Sequence, residues 1–182
     1  MNWPNRLSLI RICSVPVLTL LLFCDGLGWT RYAALFLFIL AAITDFVDGH
    51  IARKYDLVTN FGKFIDPVAD KLLVLSTMTM LSWHRLLPAW IVVAVLFREL
   101  AVDGLRLVAV EQGKVIAAAK LGKIKTVVQM VMIIAHLVYF AQFPRLNVLA
   151  QWLMLPSQIA VLVMTVWSGA DYFIRNKEVL HG

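Results

Sequence analysis

The strongest constraint on this chain is the clustering of its apolar residues. Six stretches follow one another with short breaks: Leu7 to Phe23, Tyr32 to Asp48, Asp66 to Trp83, Leu86 to Val110, Ile124 to Phe143 and Leu146 to Phe173. Each approaches the roughly 20 residues that a helix needs to cross the hydrocarbon core of a bilayer. Inside hydrocarbon every backbone N–H and C=O must be satisfied within the structure, and a helix does so locally. Little chain remains for a soluble domain, since 61% of the 182 residues are hydrophobic, only 15% are charged, and the mean hydropathy is +0.81. The expectation is an all-α integral membrane protein with six transmembrane helices, one domain spanning residues 1–182.

The basic start followed by an apolar run resembles a signal peptide, but no small-residue cleavage site follows, and Phe23 before Cys24 is too bulky for lipoprotein processing. Residues 1–23 are therefore read as the first span. Cys13 and Cys24 have neither metal-ligand spacing nor a disulfide pattern, and are read as packing residues. The formal charge of +6 has no soluble basic face on which to bind nucleic acid, so it is read as a topology signal. With both termini cytoplasmic, the inner loops and helix ends carry most of the lysine and arginine, including Arg6, Arg11, Arg53, Lys54, Lys63, Lys71 and Lys114 to Lys125, while the outer side carries only Arg31, Arg85 and Arg145. That is the positive-inside bias. The tryptophans lie mostly near span ends, as interfacial anchors do, and His50, His84, His136 and His181 show no ligand spacing.

Two inner connections, read as His50 to Lys63 and Glu111 to Lys125, join helices with charged inner ends. Around the first stand Asp45, Asp48, Asp66 and Asp70. Separations of three and four residues put the members of each pair on one helix face. Four ionised carboxylates deep in a membrane would cost on the order of 10 kcal/mol without compensation. Two explanations remain open from spacing alone. Arg53, Lys63 and Lys71 neutralise the acids in a solvated rim, or the carboxylates hold Mg²⁺ or Mn²⁺, hard cations that keep positions open for phosphate oxygens. Gly49, Ala52 and Gly62 leave room for a nucleotide or a neighbouring helix, or are simple loop residues, and Arg53 is placed to meet a diphosphate.

Taken together, Asp45-x-x-Asp48-Gly49-x-x-Ala52-Arg53, eight residues, then Gly62-x-x-x-Asp66-x-x-x-Asp70 resembles the signature of the CDP-alcohol phosphotransferase family. Further segments, Pro4-Asn5-x-Leu7-Ser8-x-x-Arg11, Arg98-Glu99-Leu100, Gly104-Leu105-Arg106 and Leu121-Gly122-Lys123-Ile124-Lys125-Thr126, are similar to bacterial members that use sn-glycerol 3-phosphate as acceptor. The resemblance implies a six-helix homodimer in the bacterial inner (cytoplasmic) membrane, with its site facing the cytoplasm. It implies two Mg²⁺ or Mn²⁺ ions per subunit on Asp45, Asp48, Asp66 and Asp70, with Asp70 also the catalytic base. It places CDP-diacylglycerol against Asn5, Ser8, Gly49, Ala52, Arg53, Thr59 and Gly62.

The acceptor is read from the fourth span. Arg98, Glu99, Asp103 and Arg106 lie there, and intramembrane charges are functional by default, though mutual ion pairing also accounts for them. Lys120, Lys123 and Lys125 add a cationic surplus that calls for an anion. Arg98, Arg106 and Lys123 are therefore assigned to the phosphate of sn-glycerol 3-phosphate. Phosphatidylglycerol, serine or inositol as acceptor would leave that surplus unexplained. A small cation transporter would account for the acids but not for the spacing of Gly49, Ala52 and Arg53.

Overall fold

The computed structural model describes residues 3–54, 60–114, 116 and 120–179, with side chains throughout except at 3–6, 45–54, 60–61, 63–64 and 120. Among the described residues there are six long helices and no strand: α1 (Trp3–Phe23), α2 (Gly28–Lys54), α3 (Asn60–Trp83), α4 (Ala89–Glu111), α5 (Lys120–Phe140) and α6 (Asn147–Arg175), with a short 3₁₀ turn at Lys177–Val179. The apolar parts of the helices fall where the sequence placed them, but α2 and α3 extend further at the ends that flank residues 55–59. α2 runs on through Asp45, Asp48, Gly49 and Arg53 to Lys54, and α3 begins at Asn60 rather than at Asp66. Gly49 and Gly62 are thus helical residues, and the connection read as His50 to Lys63 shrinks to 55–59, so Thr59 lies outside the described residues. Pro156 sits within α6, and the helix continues through it.

Short connections force sequential helices to run antiparallel. α1 packs on α2 and α3; α5 packs on α6, α2 and α3; α4 leans on α6 and α3. The core between them is apolar, with Leu18, Leu22, Phe38, Leu73, Met78, Leu81, Val95, Met132, Ile133 and Leu137 all fully buried. The outer surface is apolar too: Phe97 is 74% exposed and Trp152 77% exposed. A bundle apolar on both its inner and outer faces belongs in hydrocarbon rather than in water. By length and composition two helices, Leu121–Phe140 and Asn147–Arg175, are apolar enough to cross a membrane, and Leu7–Phe23 and Gly28–Thr44 are apolar over shorter lengths. α3 and α4 are long enough too but carry several charged residues inside their length, and it is this charge that sets them apart.

Buried polar groups tie the bundle together away from its charged end. His136, fully buried on α5, donates from Nδ1 to Met132 O at 2.7 Å, which leaves Nε2 as an acceptor. Gln158 on α6 supplies the donor at 2.8 Å, and its amide also reaches Leu86 O at 3.2 Å, so α5, α6 and the α3–α4 turn share one polar bridge. At the same end, His84 Nε2 donates to Leu22 O at 2.8 Å and its ring lies 4.5 Å from the Phe140 ring. Arg31 covers the Phe140 ring at 5.0 Å and contacts Asp25 Oδ2 at 3.4 Å. Four helices, α1, α2, α3 and α5, meet in this clamp.

Replacing Gln158 with leucine removes the donor that satisfies both His136 Nε2 and Leu86 O. The expected cost is about 1 kcal/mol, the scale of interhelical hydrogen bonds in bundles of this kind, read as a lower Tm in detergent. An unchanged Tm would show that the bridge contributes nothing.

Candidate active site

The charged side chains converge at the opposite end of the bundle. Proline at position 67 lies inside α3 next to Asp66, past the first turn, so it removes one backbone hydrogen bond from a helix that nonetheless continues through it, as helices in membrane bundles do. Asp66 and Asp70, one turn apart, face the same way. The hydroxyl of Ser8 on α1 donates to Asp66 Oδ1, and the guanidinium of Arg11, also on α1, stands 3.6 Å from Asp70 Oδ1. The N-terminal part of α1 therefore lies along the acidic face of α3. Gly62, a turn before Asp66, is buried.

Across from these acids stands a cationic wall from α4 and α5. Glu99 Oε1 accepts from Lys125 Nζ at 2.5 Å and from Arg98 Nη1 at 3.2 Å. The three side chains are 16%, 4% and 13% exposed, so the pairing is largely out of solvent. Lys71 forms an ion pair with Asp103, linking α3 to α4. This bears on the alternative of a neutralised rim: among the described residues Lys71 meets an acid of α4 rather than the aspartates of α3. Neighbouring residues on a helix point about 100° apart, and Lys71 accordingly turns away from Asp70. Lys125 likewise leaves the cationic surplus, because Glu99 matches it. Arg106 and Lys123 then have no carboxylate partner among the described residues.

Two cavities occupy the space between the walls. The larger, about 310 Å³, is lined by Asp66 and Asp70 on one side and by Arg98, Glu99, Asp103 and Arg106 on the other. The smaller, about 210 Å³, is lined by Arg98, Arg106, Gly122, Lys123 and Tyr172 among others. Arg98, Glu99, Arg106 and Thr126 line both, so the chambers adjoin. The three cations assigned from sequence to an acceptor phosphate thus share the smaller chamber. The backbones of Asp45, Asp48, Gly49, Ala52 and Arg53 lie in the last turns of α2, but their side chains, like that of Asn5 on α1, are outside the described residues. No metal-binding cluster is complete among the described residues. The part that is described suits a hard divalent cation, because Asp66 and Asp70 present carboxylate oxygens from one helix face into a chamber that leaves room for substrate oxygens.

Residues 1–167 match the CDP-alcohol phosphatidyltransferase family. The chain belongs to this family. Among its relatives in that family is the CDP-diacylglycerol–glycerol-3-phosphate 3-phosphatidyltransferase of Bacillus subtilis (strain 168), 41% identical, with the alignment covering 98% of this chain and 97% of the relative. The protein of the same name from Escherichia coli (strain K12) is 35% identical over 94% of this chain and 92% of its own length. For a CDP-alcohol phosphatidyltransferase, two features of this site were not read from sequence. Tyr172 on α6 lines the smaller chamber, and Gly169 lies against Arg98. A tyrosine near the end of an apolar helix reads as an interfacial anchor, and only its pairing with a charge 66 positions away distinguishes it.

Among the described residues Glu99 is the one acid shared by two buried cations, so Glu99→Gln strands both. Breaking a buried pair in this way costs about 3 kcal/mol. The expected readout is a clearly lowered Tm in detergent, largely restored when Lys125→Met is added. Equal melting of Glu99→Gln and wild type would show that Arg98 and Lys125 are balanced by something else.

Proposed function

We propose that this chain transfers the phosphatidyl group of CDP-diacylglycerol to sn-glycerol 3-phosphate, giving phosphatidylglycerophosphate and CMP. The observation that carries the reading is the pairing of chambers: carboxylates of α3 line one, uncompensated cations of α4 and α5 line the other, and four residues belong to both. The relatives in Bacillus subtilis and Escherichia coli bear the name of that reaction over nearly the whole chain. sn-Glycerol 3-phosphate carries a phosphate and a free hydroxyl a few bonds apart. Arg98, Arg106 and Lys123 would bind the phosphate, the arginines through bidentate contact and the lysine as a point charge. The hydroxyl then falls toward Asp70. Inositol is neutral and the single carboxylate of serine is offset by its own ammonium group, so neither brings the net negative charge that a phosphate offers Arg106 and Lys123.

An alcohol is a weak nucleophile near neutral pH, so a base within hydrogen-bond reach is required. Asp70 is assigned that role: it takes the proton as the hydroxyl oxygen forms its bond to the phosphatidyl phosphorus, and the bond from that phosphorus to CMP breaks. Asp45, Asp48, Asp66 and Asp70 would hold Mg²⁺ or Mn²⁺, two ions per subunit, and such ions neutralise charge on the diphosphate and on the departing CMP. Asn5, Ser8, Gly49, Ala52, Arg53, Thr59 and Gly62 are assigned to CDP-diacylglycerol. Ser8, through its hydrogen bond to Asp66, would orient one of the metal-binding carboxylates. The surrounding reading is of one domain whose six helices all span the bacterial cytoplasmic membrane, with both termini and the site on the cytoplasmic side and two chains forming a homodimer. The apolar outer surface and the gathering of cations at one end of the bundle support it.

Purified protein in detergent, given CDP-diacylglycerol, Mg²⁺ and a panel of alcohols, is expected to release CMP with sn-glycerol 3-phosphate and not with serine, inositol or phosphatidylglycerol. Chelation by EDTA is expected to stop release and added Mg²⁺ to restore it. Asp70→Asn is expected to lower kcat by about 10³-fold, within the range of general-base contributions, while CDP-diacylglycerol still binds. Activity within tenfold of wild type would remove Asp70 from the base role.

A further inference from the structure

The last helix reaches the smaller chamber through Tyr172 and lies against Arg98 through Gly169, and both residues stand beyond residue 167, where the family match ends. Tyr172 is 2% exposed, yet its hydroxyl stands 2.9 Å from Arg106 Nε and accepts that proton. The Arg106 guanidinium also lies 5.5 Å from the Tyr172 ring centroid. A guanidinium offers five N–H groups in a fixed fork. With Nε engaged by the phenol, the four N–H groups on the two Nη atoms remain, and this end of the fork is suited to a bidentate grip on a phosphate. The phenol oxygen, having accepted from Arg106, keeps its own O–H proton, and no acceptor for it is found among the described residues.

Gly169 lies one turn before Tyr172 on the same helix. A Cβ placed there would come within 3.3 Å of Arg98 Cγ, so the missing side chain is what lets the Arg98 stem lie against α6. Gly122 of α5 also neighbours Arg98, where an added Cβ would lie in ordinary contact, 3.7 Å from Nη2. The two arginines assigned to the acceptor phosphate are thus both shaped by α6, one through a hydrogen bond and one through a steric gap.

We propose that Tyr172 is a phosphate-binding residue of the acceptor site: it fixes the orientation of Arg106 through Nε and donates its own hydroxyl proton to the phosphate of the acceptor. Gly169 positions Arg98 for the same phosphate. The proposal rests on the acceptor assigned above, and wild-type turnover tests that assignment first. CMP release with sn-glycerol 3-phosphate upholds it, whereas release only with serine or inositol overturns both the assignment and the role of Tyr172.

With the wild-type preference established, Tyr172→Phe keeps the ring and removes only the hydroxyl. The expected result is a rise of about tenfold in KM for sn-glycerol 3-phosphate, the scale of one hydrogen bond to a charged group, with kcat, KM for CDP-diacylglycerol and Tm close to wild type. Gly169→Ala, which acts on Arg98 and leaves Tyr172 in place, is expected to raise the same KM without changing that for the lipid. A KM for sn-glycerol 3-phosphate within twofold of wild type in Tyr172→Phe overturns the proposal. So does a parallel loss of Tm, kcat and both KM values, because that pattern belongs to a packing residue.

Discussion

An ionised side chain inside an apolar bundle must be matched, and in this protein the match is made chiefly by Glu99. Its carboxylate stands between Lys125 and Arg98, all three largely removed from solvent. Without it, α4 and α5 would bring two cations together where water cannot screen them, and the cost would fall on the contact between those helices. Glu99 also sets the chamber's charge balance. It cancels Lys125, and the Lys71–Asp103 pair cancels itself, so the remaining positive charge is concentrated on Arg98, Arg106 and Lys123 at the smaller cavity. An excess of this kind is poorly suited to a neutral alcohol and well suited to one that brings its own phosphate.

The site therefore has a division of labour by helix. Among the described residues the acids facing the larger chamber from α3 are Asp66 and Asp70, the cations come from α4 and α5, and the last helix lies against two of those cations. Ser8 and Arg11 close the acidic side from α1, each against a different aspartate of α3. No single helix carries a working fragment, and this is why the charges tolerated at the ends of these helices matter only once the bundle has assembled.

Much of this was legible in the sequence, for identifiable reasons. Long apolar runs have few alternatives in hydrocarbon, so the middle of each helix fell where hydropathy put it. Helix ends were less legible: Gly49 and Gly62 beside aspartates resemble turn chemistry, yet α2 and α3 absorb them, since packing outweighs the weak local preference. The pairing of Asp66 with Asp70 could be read because the two are local, four residues apart. The cationic pairings could not. Lys71 next to Asp70 invites a contact that helical geometry forbids, and the links Lys125–Glu99 and Arg106–Tyr172 join residues 26 and 66 positions apart, which no local spacing rule reaches.

The clamp at the far end, where His84, Arg31 and Phe140 gather the ends of α1, α2, α3 and α5, has a mechanical corollary. A rod pinned at one tip swings most at the other. α3 has 24 residues, a lever of about 36 Å, so each degree of tilt about the pinned tip moves Asn60 by about 0.6 Å. A rock of a few degrees, small enough to leave the leucine-rich interior near the pivot undisturbed, would open the charged mouth by the width of an atom or more. Because Ser8, Arg11 and Asp103 all hold side chains of α3 near that mouth, such a rock would be resisted there by three polar contacts and not by the apolar interior.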